Sequence, residues 1–172
     1  NAQDTTHYYT APGTYTVSLI ATTNKGCIDT TKKTINMLSA PVANFSATSV
    51  CAADTTVFVD STIVQTGTIT SWQWDFGDTN TGSGDSTSHR YTASGTYNTR
   101  LIILLNNGCT DTVIKPVLVH AIPVASFVQT TFCIGDGTSF NNTSTVLPSN
   151  IAHNFWDFGD TQTDTAFSPT HS

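Results

Sequence analysis

The sequence predicts an all-β protein built from tandem sandwich units of about 82 residues. Three observations predict it. Trp74-Asp75-Phe76-Gly77-Asp78-Thr79 recurs unchanged as Trp156-Asp157-Phe158-Gly159-Asp160-Thr161, a spacing of 156 − 74 = 82 residues. A period of that length decides the architecture before any local preference does. Glutamate is absent and about a fifth of the residues are Thr, so helix formers are scarce and β-branched side chains that suit a pleated surface abound. Short runs of alternating polarity are also broken by turn residues roughly every 8–12 positions.

The period holds from end to end without insertion or deletion. His7, His89 and His171 are in phase, as are Gly13-Thr14-Tyr15 with Gly95-Thr96-Tyr97, and Pro41-Val42-Ala43 with Pro123-Val124-Ala125. Ser39-Ala40-Pro41 and Ala121-Ile122-Pro123 read as connectors, because a proline suits the first residue of an edge strand. Residues 1–39 are therefore expected to be the C-terminal half of one unit, 40–121 a complete unit and 122–172 the N-terminal half of a third. Each half is too small to bury a core alone. The halves are complementary, so chains could complete one another head to tail. Residues 1–8 and 165–172 occupy the same repeat positions, however, and that redundancy favours an excerpt from a longer array.

Within the complete unit, Val42 to Thr48 reads as a first strand and Thr56 to Asp60 as a second. Thr70 to Phe76 places Trp72, Trp74 and Phe76 on one face by period two. Residues 77–82 form a turn-rich break, and Ser86 to Tyr91 a further short strand. Gly95 to Leu105 is the longest strand, with Tyr97, Thr99, Leu101, Ile103 and Leu105 facing inward. Asn106-Asn107-Gly108 is a hairpin turn, and Asp111 to His120 returns as the last strand. On the outer face, Ile20 and Thr22 become Ile102 and Leu104 one period later, a gain in apolar surface that hints at a neighbour. About seven short strands with these turns describe an immunoglobulin-like sandwich.

The net charge of −6 rests on twelve Asp against six Lys or Arg, with no basic stripe. That pattern excludes the electrostatic footprint of a nucleic-acid binder and opposes docking to anionic membranes. No run approaches the roughly 18 apolar residues that span a bilayer.

Cys27, Cys51, Cys109 and Cys133 repeat with the same period, since 109 − 27 = 82 and 133 − 51 = 82. Zinc sites usually want close pairs such as Cys-x-x-Cys, which are absent. One cysteine of each kind per small β unit favours disulfides and an oxidising, extracellular setting. The tightest pairing is Cys51–Cys109 within the complete unit, worth up to ~4 kcal/mol in the chain-entropy model, with Cys27 and Cys133 paired outside the chain. The rival is Cys27–Cys51 across the connector, which would lock adjacent units together.

Trp-Asp-Phe-Gly-Asp, followed by His89-Arg90-Tyr91 and Gly95-Thr96-Tyr97, resembles the polycystic kidney disease (PKD) repeat family. The resemblance covers the whole chain as half, whole and half domain. It implies a sandwich related to immunoglobulin and fibronectin type III domains, in extracellular proteins where such repeats space, stiffen or bind. A Gly usually follows the second Asp, where Thr79 and Thr161 stand here. The added cysteines are similar to those of large bacterial surface proteins exported by type IX secretion.

Asp75 and Asp78 could be read as a carboxylate pair or as weak calcium candidates. Calcium wants six or more oxygens and catalysis a cleft with a partner of shifted pKa, and the sequence supplies neither. The expectation is structural: Trp74, Phe76, Trp156 and Phe158 fill cores, and Asp78 caps its turn. Each in-phase His is expected to make a hydrogen bond at a strand end rather than bind metal. Tyr15 and Tyr97 are expected in the core with their hydroxyls tied to nearby backbone, Tyr91 being the rival for that role.

Asp-Ser/Thr motifs mark Thr5, Thr30, Thr55, Ser61, Ser86, Thr112 and Thr165 as bacterial O-glycosylation candidates, while Asn44 and Asn141 fit the N-linked sequon. No nucleophile–base or metal constellation is visible, so no enzyme and no cofactor is expected. The expected function is a structural or adhesive repeat module of a bacterial surface filament or stalk. Its partners would be neighbouring units, self-association lateral or head to tail, and a polysaccharide or other cell-surface ligand, with no nucleic acid and no membrane insertion. The alternative is a non-catalytic accessory of a secreted protease or glycosidase, binding polymer through Trp72, for which Asn154 stands one period later.

Overall fold

The computed structural model describes residues 4–130 and 133–172. No helix occurs among them, as the composition requires. Two long strands open the chain, β1 (Gly13–Thr22) and β2 (Ile28–Met37). Then follow β3 (Phe45–Ala47), β4 (Val50–Cys51), β5 (Thr55–Asp60), β6 (Ile69–Asp75), β7 (Thr81–Ser83), β8 (Ser86–Arg90), β9 (Gly95–Leu105) and β10 (Thr110–His120). The last are β11 (Phe127–Gln129), β12 (Thr138–Asn142), β13 (Trp156–Asp157), β14 (Thr163–Asp164) and β15 (Thr170–His171).

Strands β4-β10-β9-β6-β7 make one sheet and β3-β5-β8 another. The expected strands are found within a residue or two, except that the first is shorter, with Val42 reduced to a lone bridge to Ile63. Two short strands were not legible. β7 lies inside the expected turn break, where Gly82 packs so close to the Phe76 ring that an added Cβ would sit 2.8 Å from it. β4 pairs parallel with β10, His120 opposite Cys51.

The chain falls into two compact units, Asn1–Ser46 with Phe58–Thr87 and Asn98–Lys115, and Ala47–Val57 with Ser88–Tyr97 and Pro116–Ser172. In the first, β1 and β2 pair over ten residues, from Gly13↔Met37 to Thr22↔Ile28. Their apolar side chains stay open: Leu19 is 65% exposed and Val17 44%. The same unit holds the aromatic core, with Phe45–Trp74 ring centroids at 5.2 Å, Phe58–Trp74 at 5.7 Å and Phe58–Phe76 at 5.1 Å. Leu101 and Ile103 are fully buried there, as the alternation of the longest strand predicted.

In the second unit, Tyr91 is fully buried and stacks on Tyr97 at 4.0 Å. Here too β11 pairs with β12, β12 with β15, and β13 with β14. This set repeats β3, β5, β8, β6 and β7 one period on, while β1 and β2 match β9 and β10 one period back.

Four expected core residues are only half-buried. Among the described residues β13, which carries Trp156, pairs only with β14, whereas β6, which carries Trp74, pairs with both β9 and β7. Tyr15 and Tyr97 sit at strand starts and donate their hydroxyls to the Ala11 and Ala93 carbonyls, both at 2.9 Å, so each pins a corner rather than filling a core.

Candidate functional site

The repeated motif builds a capped turn. Asp75 Oδ1 accepts from the Gly77 N–H at 3.0 Å, and Asp78 Oδ1 from the Asn80 N–H at 3.2 Å. The second copy does the same, with Asp157 accepting from Gly159 at 2.9 Å and Asp160 from Gln162 at 3.0 Å. These short carboxylates satisfy turn amides locally, as Asp commonly does. Gly77 has φ +84°, and a Cβ there would meet the Asn98 carbonyl oxygen at 2.9 Å. That glycine is required by both conformation and space.

Asp75 Oδ2 also accepts from Arg100 at 3.0 Å. His171 Nε2 lies 2.8 Å from Asp160 Oδ2. That hydrogen bond, helped by the Gln162 amide, holds the Asp160 carboxyl below the ordinary Asp range. The His therefore serves a structural contact at a strand end. No group of three or more His, Cys, Asp or Glu able to hold a metal exists among the described residues, and the two calcium candidates Asp75 and Asp78 are engaged with the turn.

Trp72 is not a free binding aromatic. Its Nε1 donates to Asp60 Oδ2 at 2.9 Å and the ring is half-buried. At the matching positions one period later, Asn142 Nδ2 donates to Asn154 Oδ1 at 2.6 Å. A far more open aromatic was missed: Phe155, 71% exposed, stands one period after Gln73. The phase shift from Gln to Phe was the signal that could have found it.

The cysteine positions overturn the expected Cys51–Cys109 bond. Cys51 pairs with His120 at the end of β10, while Cys109 immediately precedes the start of that strand. Eleven residues at about 3.3 Å each separate them by roughly 35 Å, and a disulfide needs Cα atoms within about 7 Å. All four thiols are free, with Cys27, Cys51 and Cys133 exposed and Cys109 half-buried. Asp111 Oδ2 accepts from the Ala43 N–H at 2.8 Å, which holds the residues just after Cys109 beside Ala43.

The seven O-linked candidates Thr5, Thr30, Thr55, Ser61, Ser86, Thr112 and Thr165 are exposed, as are Asn44 and Asn141.

A groove of about 610 Å³ in residues 123–158 is lined by Phe127, Phe140, Phe155, Trp156 and Phe158 with Asn142. It carries the aromatic side chains of β13, which pairs with β14 and with no other strand among the described residues. Among the described residues no helix is long and apolar enough to cross a membrane.

The family model described as "PKD domain" matches residues 38–119. No curated protein matches the chain. Among solved structures, the chain is similar to the PKD1 domain of Vibrio anguillarum Epp, at 27% identity and TM-score 0.46, over 49% of this chain and 99% of that one. It is also similar to the PKD1 domain of the Vibrio cholerae metalloprotease PrtV, at 28% identity and TM-score 0.44, over 47% of this chain and 98% of that one. A carbohydrate-binding module structure of the β-sandwich superfamily aligns at 22% identity and TM-score 0.47, over 59% of this chain and 53% of that one.

Proposed function

With residues 38–119 belonging to the PKD domain family, we propose that this chain is a stretch of an extracellular tandem array, acting as a structural and adhesive spacer on a bacterial surface. Residues 1–39, 40–121 and 122–172 are then half, whole and half of successive units. The observation that carries this reading is the uninterrupted 82-residue period, in which turn-capping Asp, core Trp, strand-end His and both cysteines recur in phase.

The mechanism is mechanical. Connectors of about three residues, each ending in Pro, restrict bending between units. Each unit interacts mainly with its neighbours, so the array is nearly one-dimensional. The complete unit carries one thiol at each end, Cys109 at the entry and Cys51 at the exit. A disulfide in such an array joins the exit thiol of one unit to the entry thiol of the next. Two thiols then give two electrons and two protons to a small-molecule disulfide, which leaves as two thiols. Exposed Ser and Thr after Asp offer glycan attachment along the rod.

Electron microscopy of the native protein that carries this sequence tests the reading. A thin rod with a repeat of roughly 40 Å, set by strands of about eleven residues, is expected. A compact body bearing one or two small beads would overturn it in favour of a secreted enzyme's non-catalytic accessory.

A further inference from the structure

The complete unit carries a shallow polar concavity of about 280 Å³ where β9, β6 and β7 lie side by side. Strand register builds it. Asp75 stands opposite Arg100 on one side and Thr81 on the other, and Gln73 stands opposite Ile102 and Ser83. Asp75 and Gln73 flank Trp74, which is 1% exposed, and Ile102 lies between the fully buried Leu101 and Ile103. Alternation therefore turns Trp74, Leu101 and Ile103 to the core and this second set of side chains to solvent. β6 has a strand on each side, so the concavity lies on the outer face of a finished sheet.

Its polar atoms are largely unspent on the fold. Asp75 is used by the Gly77 amide and by Arg100, each at 3.0 Å. Arg100 commits one nitrogen, Nη2, to that pair. Gln73 and Thr81 are exposed, and among the described residues no hydrogen bond engages the carboxamide of the one or the hydroxyl of the other. The Asp75–Arg100 pair cancels its own charge, so in a chain of net charge −6 the concavity is neutral. A neutral ligand therefore fits it better than an ion. Carboxamide, hydroxyl and guanidinium together match groups that both donate and accept, as sugar hydroxyls do. Ile102 adds an apolar floor beside them. A gluco-configured ring meets both demands, with hydroxyls around its rim and C–H bonds on its flat faces. The volume falls just below the range of about 300–1,000 Å³ common for drug-sized ligands, which suits a single ring at a time.

The repeat points the same way. Asp157 and Thr163 follow Asp75 and Thr81 by one period, and Ile20 precedes Ile102 by one. Gln73 alone of these changes character, into Phe155. That exchange trades hydrogen bonds at a ring's rim for contact with its face, and an aromatic gives such contact at low entropic cost. We propose that this outer face binds a neutral polysaccharide of equatorially linked, gluco-configured rings. Gln73, Thr81 and Arg100 meet ring hydroxyls while Ile102 lies against a ring face. One weak site per unit, repeated along an array, holds a long polymer by avidity. The inference deepens the adhesive reading and rests on it, but its test reads sugar contact at named residues and so stands or fails apart from the shape of the native protein.

The test is a nuclear magnetic resonance titration of the 172-residue chain with cellohexaose. Amide shifts are expected at Gln73, Asp75, Thr81, Arg100 and Ile102, saturating at millimolar sugar. Gln73→Ala combined with Thr81→Ala removes two exposed polar groups and should weaken binding about fivefold or more, with the signals of the buried core unmoved. Gln73→Phe, which installs the side chain found one period later, should tighten binding about threefold to tenfold. No shift at these residues up to the solubility limit of the sugar, equal binding by the double variant, or no gain from Gln73→Phe would overturn the proposal. Shifts confined to Phe127, Trp156 and their neighbours would overturn it as well, by placing the sugar in the aromatic groove.

Discussion

Trp72 and Asp60 form one pair, the indole N–H donating to the carboxylate at 2.9 Å, and both members change together one period later into Asn154 and Asn142. The positions form a buried or half-buried polar bridge between β5 and β6, and each copy satisfies it with matched chemistry. Trp72 is thereby tied to the fold. Trp72→Phe keeps the ring and removes the donor, and is expected to cost about 1.5–3 kcal/mol, the usual worth of a hydrogen bond to a charged group. Denaturant melts of Trp72→Phe, Asp60→Asn and the double variant would check it. Additive losses would show that the two residues are not coupled.

Thr79 and Thr161 hold φ of +75° and +77°, a region that a β-branched residue enters at a cost of roughly 1–2 kcal/mol. Thr79→Gly is expected to raise stability by about 1 kcal/mol, the gain being trimmed by the greater entropy of unfolded glycine. A shift of the urea midpoint to higher concentration checks this. An unchanged or lower midpoint would mean that the Thr side chain contributes something the turn geometry does not reveal.

Trp74 and Trp156 are each followed by the same Asp-Phe-Gly-Asp-Thr and differ in burial. Trp74→Ala is expected to cost about 3–5 kcal/mol as a buried aromatic deletion. Trp156→Ala, at a residue that is only half-buried, should cost less than half of that in this chain. Equal losses at the two positions would contradict the difference in burial.

The separation of Cys51 and Cys109 along β10 predicts the thiol chemistry. Oxidation followed by non-reducing peptide mapping is expected to give no Cys51–Cys109 peptide. A Cys51–Cys109 peptide from folded monomer would contradict the pairing of β4 with β10.

Much of this was legible in the sequence. The alternation of Thr99, Leu101, Ile103 and Leu105 gave the long strand and its buried face, because period two in a one-sided sheet leaves little ambiguity. The Asp-capped turn was legible because short carboxylates followed by Gly have few alternative uses. Two things were hidden. β4 and β7 span two and three residues, too short for any periodic signal, and their pairing is decided by tertiary contact. Missing β4 is what allowed Cys51 to be set beside Cys109: sequence spacing says which cysteines share a unit, but not at which end of it each one lies. Burial of Tyr15, Tyr97, Trp156 and Phe158 was overestimated for a related reason, since the depth of an aromatic depends on strands that another part of the chain must supply.

The central claim is that successive 82-residue copies fold as separate sandwiches joined end to end. Single-molecule pulling on the native protein, under reducing conditions, tests it most directly. Unfolding one copy frees about 82 residues at up to ~3.6 Å each, less the folded length, so a sawtooth of nearly equal steps of about 25 nm is predicted. A trace with one such step among large irregular ones would contradict the account.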